Sequence, residues 1–309
     1  MSNHGGNSAA IPDIGNGILS YSAVQFDPIS ANTLEEVDQN ADRILQWMDR
    51  AVVGNPGCDI IVFPECCFQG MAPVNWLQVG IAINSVPIQK VCAKCKELSV
   101  WGIFNPWIKP EDGSDIENTA IVVNDQGEIA AQYIKMNPAL SMEPTKPGRD
   151  MVVCNGPKGS KIAILICADA LYPECWREAA FKGANVVFHI SHWPIPGERM
   201  WKITNQAGAI FNSYYVIGVN SVCTDEGYSF FGGSMAVDPM GMITYEAPRG
   251  MPCVFTGAIS PMAVDAARIS GSNLLWTAYH RGACSADQKG VGLDLSDYTF
   301  YSAHSGEEN

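Results

Sequence analysis

Short, almost wholly apolar runs recur along this chain, and a helical pattern follows most of them. This alternation restricts the fold more than any other feature. Residues 20–26, 58–64, 100–104, 161–167, 184–190, 214–220 and 252–259 read as buried strands. Residues 32–52, 87–98, 172–182 and 199–212 carry helical periodicity. Thr33-Leu-Glu-Glu36 has the spacing of a capping box, and Gly54-Asn-Pro-Gly57 stops the helix it opens. In 199–212, Met200, Ile203, Ala207, Ile210 and Phe211 share one apolar face. Residues 118–124 with 128–134, and 234–238 with 242–246, read as hairpins. Each half therefore runs roughly strand, helix, strand, helix, strand, hairpin. That order predicts an α/β fold of two mixed sheets covered by helices, without a sequence repeat.

The ends of the chain lack this pattern. Residues 1–17 are rich in glycine and asparagine and read as a flexible tail with neither the basic nor the apolar region of a secretory leader. Residues 18–262 hold the alternation, and 263–309 read as an irregular C-terminal extension. No apolar run reaches membrane-spanning length, so the chain is expected to be soluble and to have no membrane partner. Its 19 basic and 32 acidic residues leave a net charge of −13, which argues against nucleic acid as a partner. Eleven cysteines in 309 residues, an odd number, fit reduced thiols in a cytoplasmic protein. Cys92-Ala-Lys-Cys95 is a lone C-x-x-C within a helical pattern, with no second pair to complete a zinc site. Cys66 and Cys67 point to opposite sides of an extended chain and read as packing residues rather than a disulfide.

Three of the apolar strands end in a residue that could do chemistry. Residues 58–64 deliver Glu65, 128–134 deliver Lys135, and 161–167 end in Cys167. Strand ends are where α/β enzymes place reactive groups. Acyl transfer at an amide needs a thiolate or comparable nucleophile, a group that takes and returns a proton, and positive charge where the carbonyl oxygen becomes an oxyanion. Cysteine, glutamate and lysine supply these in turn. A helix start just after Cys167 would add backbone N–H groups, that of Ala168 among them. Each residue alone is ordinary; a cysteine at a strand end is more often inert packing. Histidine would be the commoner partner for a thiol. His189 and His192, three apart on one strand, point to opposite faces, and no histidine has a distinctive context. There is no G-x-S-x-G elbow, G-x-G-x-x-G or P-loop, and no metal or cofactor is implied.

Phe63-Pro-Glu65, Tyr133-Ile-Lys135 and Ile166-Cys167-Ala-Asp-Ala-Leu-Tyr-Pro-Glu174, in that order and spacing, resemble the Glu–Lys–Cys motifs of the nitrilase superfamily of carbon–nitrogen hydrolases. The likeness covers roughly residues 18–262. It is closest to the aliphatic amidase and formamidase branch, through residues 172–183, Gly156-Pro-Lys-Gly159 and Tyr279-His-Arg-Gly282. The resemblance implies an α-β-β-α sandwich and a homo-oligomer, a dimer or dimer-based hexamer, paired through helices. It implies Glu65 as base, Lys135 as oxyanion cation, Cys167 as nucleophile, and Glu143 as a second glutamate eight residues after the lysine. The expected activity is hydrolysis of a small carboxylic amide through a thioester. A nitrilase or an N-carbamoyl hydrolase would use the same three residues, and a catalytically silent binding subunit would keep the fold. The chain also departs from the pattern. Ala139 stands where such enzymes usually carry tryptophan, Thr145-Lys146 where they carry Trp-Tyr, and Cys66 where they carry tyrosine; Ala168 and Ala170 flank Asp169 after the nucleophile. Ala139, Cys66 and Ala168 are thus expected to border an enlarged acyl pocket, with Trp193 supplying part of the wall. The preference should move away from formamide and acetamide-sized amides.

Overall fold

The computed structural model describes residues 17–70, 76–139, 143–225 and 227–270. In chain order its elements are β1 (Leu19–Gln25), α1 (Leu34–Gly54), β2 (Ile60–Val62), α2 (Trp76–Val79), α3 (Val86–Leu98), β3 (Trp101–Phe104), β4 (Trp107–Ile108), β5 (Glu117–Val123) and β6 (Ile129–Ile134). The second half gives β7 (Val153–Asn155), β8 (Lys161–Ile166), α4 (Pro173–Phe181), β9 (Val186–Ser191), α5 (Glu198–Asn212), β10 (Tyr215–Asn220), β11 (Val222–Asp225), β12 (Tyr228–Phe231), β13 (Met235–Val237), β14 (Ile243–Glu246), β15 (Cys253–Ile259) and α6 (Pro261–Ser270). The N-terminal tail, the C-terminal residues after 270 and the Tyr279-His-Arg-Gly282 motif lie outside the described residues. The stretch expected to be irregular from residue 263 begins, however, inside α6.

Two mixed sheets result. One has the order β15-β1-β2-β3-β5-β4, with β6 added on β5; the other runs β14-β13-β10-β9-β8-β7. β1, β2 and β3 are parallel, as are β8, β9 and β10, while the hairpin strands and β15 pair antiparallel. Period-2 alternation divides the first sheet between two layers. Tyr21, Ala23, Ile60, Val62 and Ile103 join the core shared with the second sheet. Val24, Ile61, Phe63 and Phe104 pack instead against Val37, Ile44, Met48 and Val91 of α1 and α3. On the far side, α4 and α5 cover the second sheet through Trp176, Ala179, Trp201 and Ala209. The architecture is the expected α-β-β-α sandwich.

Local chemistry starts and stops these elements as the sequence predicts. Thr33 and Glu36 form the capping box: the Glu36 N–H donates to Thr33 Oγ1 at 3.2 Å, and the Thr33 N–H donates to Glu36 Oε2 at 3.1 Å. The face of α5 is a correction. Met200, Ile203 and Phe211 are half exposed, and the helix buries Trp201, Asn205, Gly208, Ala209 and Asn212 instead. The reason is close approach. A Cβ added at Gly208 would meet the Trp176 ring at 2.4 Å, so a flat indole and a bare backbone replace aliphatic packing there. The aliphatic stripe is left facing outward.

Candidate active site

Four loops meet where the two sheets face each other. Glu65 lies just past β2, Lys135 follows β6, Cys167 follows β8 and His192 follows β9. Glu65 and Lys135 are fully buried, Glu143 is 4% exposed and Cys167 is 8% exposed. Lys135 Nζ donates to Glu65 Oε1 at 2.8 Å and also to Glu143 Oε2. Two carboxylates and one ammonium are thus withdrawn from water together, an arrangement that survives only if the remaining lone pairs are met. They are. Asn118, at the start of β5, uses the two hydrogens of its amide on the two carboxylates: Nδ2 donates to Glu65 Oε1 at 2.9 Å and to Glu143 Oε1 at 2.7 Å. The His192 N–H donates to Glu65 Oε2 at 2.8 Å, and the Ala139 N–H donates to Glu143 Oε2 at 2.7 Å. Asn118 Oδ1 accepts from Asn105 Nδ2, and Asn105 Oδ1 accepts from the Cys66 N–H, which fixes which way both amides face.

Cys167 opens a 3-10 turn, Cys167–Leu171, with φ of 46°. This left-handed conformation is costly for a residue with a Cβ and has to be held by its surroundings. Asp169, within the turn, holds it from below: its carboxylate accepts from the Tyr133 hydroxyl at 2.8 Å, from the Asn137 N–H at 2.8 Å and from the Ile166 N–H at 3.1 Å. His189 holds it from the side, with Nε2 3.2 Å from the Cys167 carbonyl oxygen and Nδ1 2.9 Å from Asn205 Oδ1. The Cys167 Sγ–H faces the His192 carbonyl at 3.8 Å. The N–H groups of the turn's first residues, that of Ala168 included, have no acceptor within the turn itself.

The electrostatics follow from burial and charge. Burial and then the Glu65 carboxylate push the Cys167 thiol above its ordinary value, while Lys135 pulls it down. At rest the group is a thiol, and its proton must leave as it attacks. For Lys135, burial alone would weaken the ammonium, but Glu65, Cys167 and Glu143 reverse this and hold its pKa well above that of an ordinary lysine. Burial depresses His189 to about 4 and His192 to about 3, so neither is charged at neutral pH. His192 Nδ1–H donates to the Glu65 carbonyl at 2.7 Å, which makes it a support for Glu65.

A cavity of about 300 Å³ adjoins Cys167, and Ala139, Ala168 and Trp193 are among its walls. Cys66 is a correction. It does not line this cavity; it is buried at a φ of 54°, its N–H bound to Asn105 and its sulfur accepting from Trp107 Nε1 at 3.1 Å. The left-handed turn after Glu65 carries the side chain away from the cleft. Neither Cys66 nor Cys67 forms a disulfide, nor does any other described cysteine. Among the described residues no group of three or more His, Cys, Asp or Glu side chains could hold a metal ion, and no helix is long and apolar enough to cross a membrane.

A family model described as carbon-nitrogen hydrolase matches residues 22–269. This chain belongs to the carbon–nitrogen hydrolase family. It is therefore a hydrolase acting on carbon–nitrogen bonds other than peptide bonds. The chain is 33% identical over 281 residues to a formamidase of Helicobacter acinonychis, covering 88% of this chain and 84% of that protein. It is 31% identical over 280 residues to a formamidase of Bacillus thuringiensis, covering 90% and 84%. Among solved structures it resembles Saccharomyces cerevisiae Nit3, a member of branch 10 of the nitrilase superfamily, with a TM-score of 0.74 at 21% identity over 82% of this chain and 94% of that one. An amidase from Nesterenkonia sp. superposes with a TM-score of 0.68 at 21% identity, covering 82% and 95%. At such identities these two structures speak for the fold.

The sequence-derived set Glu65, Lys135, Glu143 and Cys167 thus converges on one buried site. Asn118, His189 and His192 were missed as members of that surrounding. Their one signal in the sequence is a polar side chain in or beside a run that is otherwise apolar, since such a group must find partners when buried.

Proposed function

We propose that this hydrolase is a cysteine amidase that converts a small carboxylic amide to the acid and ammonia through a thioester. The observation that carries the reading is a fully buried Lys135 bound to Glu65 at 2.8 Å beside Cys167, three groups delivered by three different strands. Glu65 takes the Cys167 thiol proton as sulfur attacks the amide carbon. The oxyanion forms against the Lys135 ammonium and the Ala168 N–H. Glu65 then returns the proton to the departing nitrogen, and ammonia leaves. Water, deprotonated by Glu65 or Glu143, hydrolyses the thioester and restores the thiol. Glu143 also holds Lys135 in place. No step in this scheme requires a cofactor.

The formamidase relatives favour an amide over a nitrile or a carbamoyl compound, while the alanines at 139 and 168 leave more room at Cys167 than a formyl hydrogen would occupy. The outward Ile203 and Phe211 of α5, which do not line the Cys167 cavity, support a homo-oligomer in which a second copy covers them. Ile203→Glu should then lower the mass measured by light scattering, and an unchanged mass would count against that interface. The amidase reading is tested by ammonia release from paired amides and nitriles. Amides should be hydrolysed, and Cys167→Ser should lose at least ~10³ in rate, in the range of removing a nucleophile. A variant that kept its rate, or nitriles that outran amides, would overturn it.

A further inference from the structure

The walls of the cavity beside Cys167 carry chemical information that the four buried charged and reactive groups do not. From them we infer that the acyl part of the substrate is an uncharged hydrocarbon group, branched or aromatic, rather than a formyl, acetyl or carboxylate-bearing one. The inference rests on the amidase reading above and names its substrate class.

The N–H groups that Trp193 and His192 bring to these walls are already engaged, while the Ala168 N–H serves the oxyanion. Trp193 Nε1–H donates to the Gly197 carbonyl at 3.0 Å, and the Trp193 N–H donates to Asn220 Oδ1 at 2.7 Å. His192 turns its Nδ1–H to the Glu65 carbonyl at 2.7 Å. Pro194 and Pro196 have no N–H to give. Leu171 and Met200 complete the wall with carbon and a thioether. Among the described residues that line the cavity none is Lys, Arg, Asp or Glu. Lys135, whose charge acts on Cys167, already donates to both Glu65 and Glu143. A carboxylate on the acyl group would meet no counter-ion among the described lining residues and would come near two carboxylates. Uncompensated burial of this kind is among the most costly events in a protein interior. A hydrocarbon group loses nothing there and gains by leaving water.

Size points the same way. The cleft of about 300 Å³ is larger than a formyl or acetyl group requires. A formyl group places only a hydrogen in it. Each methylene buried should raise kcat/KM about fourfold until the space is filled.

The test compares kcat/KM for formamide, acetamide, isobutyramide, benzamide, 4-methylpentanamide and succinamate. The last two have the same shape, with a carboxylate in place of an isopropyl group. The expected result is a rise of about a hundredfold or more from formamide to 4-methylpentanamide, and a loss of at least about a hundredfold from 4-methylpentanamide to succinamate. Two variants check that this cavity is responsible. Ala139→Phe fills it and should move the ratio of 4-methylpentanamide to formamide at least about tenfold toward formamide. Met200→Lys, at an exposed position on the rim, should move the ratio of succinamate to 4-methylpentanamide at least about tenfold toward succinamate. Formamide as the best substrate, succinamate turned over as well as its hydrocarbon twin, or ratios unmoved in both variants would overturn the inference while leaving the amidase reading intact. Release of ammonia from none of these amides would instead overturn the amidase reading, and this inference with it.

Discussion

Acidifying the protein from pH 7 to pH 5 should cost it a measurable part of its stability, and His192 allows the loss to be worked out. The ring is buried, donates from Nδ1 to the Glu65 carbonyl at 2.7 Å and lies edge-on to Phe230. Burial depresses its pKa to about 3, the hydrogen bond to Glu65 only partly opposing this. In the unfolded chain a histidine titrates near ~6.5. Between these two values the unfolded chain binds a proton that the folded chain refuses, so stability falls as pH falls. The contribution is complete above pH 6.5 and is lost on the acid side. At pH 5 the unfolded ring is ~1.5 pKa units below its midpoint, which at ~1.36 kcal/mol per unit amounts to about 2 kcal/mol. That is a large share of a folding free energy of about 5–15 kcal/mol. His189, held down to about 4, adds a second loss of the same sign. Asp169 works in the opposite direction, because burial raises its pKa and the folded chain then takes up that proton more readily. A comparison of wild type with His192→Gln cancels both. Urea unfolding followed by tryptophan fluorescence at pH 7, 6 and 5 is the assay. The variant's stability should decline by about 2 kcal/mol less than that of wild type over this range. Parallel declines in the two proteins would refute the argument that the folded chain keeps His192 neutral.

Two further perturbations separate charge from positioning. Lys135→Met removes the cation between two buried carboxylates; it should lower kcat by ~10²–10³ and destabilise the fold by about 3–5 kcal/mol, read from ammonia release and a urea midpoint. An unchanged kcat would remove Lys135 from oxyanion stabilisation. Asn118→Leu deprives both Glu65 and Glu143 of a donor. It should cost about 1–3 kcal/mol of stability and at least about tenfold in kcat/KM, and full activity at reduced stability would make Asn118 purely structural.

Much of the fold was legible because each central strand announces itself twice, by an apolar run and by the polar residue at its end. β2 and β8 are of this kind, β6 is a hairpin strand on the sheet's margin that still delivers Lys135 at its end, and the Thr33–Glu36 box and the stop at Gly54 marked α1 equally directly. Glu65, Lys135 and Cys167 could be picked out for the same reason. Asn118 could not. It stands at the start of a hairpin strand, and its value depends on Glu143, 25 residues later, and Glu65, 53 residues earlier, meeting at its two amide hydrogens. His189 lies on β9 but His192 falls just past its end, and each supports the site. One ring lies beside the Cys167 carbonyl and the other under Glu65. Cys66 and α5 misled the reading for local reasons, a left-handed turn in one case and a Gly208–Trp176 contact in the other. Period and composition reveal neither.

The central claim is that the amide's acyl group passes through Cys167. Acid quench of the enzyme during steady turnover of 4-methylpentanamide, followed by peptide mass spectrometry, tests it most directly. The account predicts the mass of one acyl group on the peptide that contains Cys167, removable by hydroxylamine as a thioester is and absent in Cys167→Ser. Steady release of ammonia with no adduct on Cys167, or with the acyl group on another residue, would contradict it.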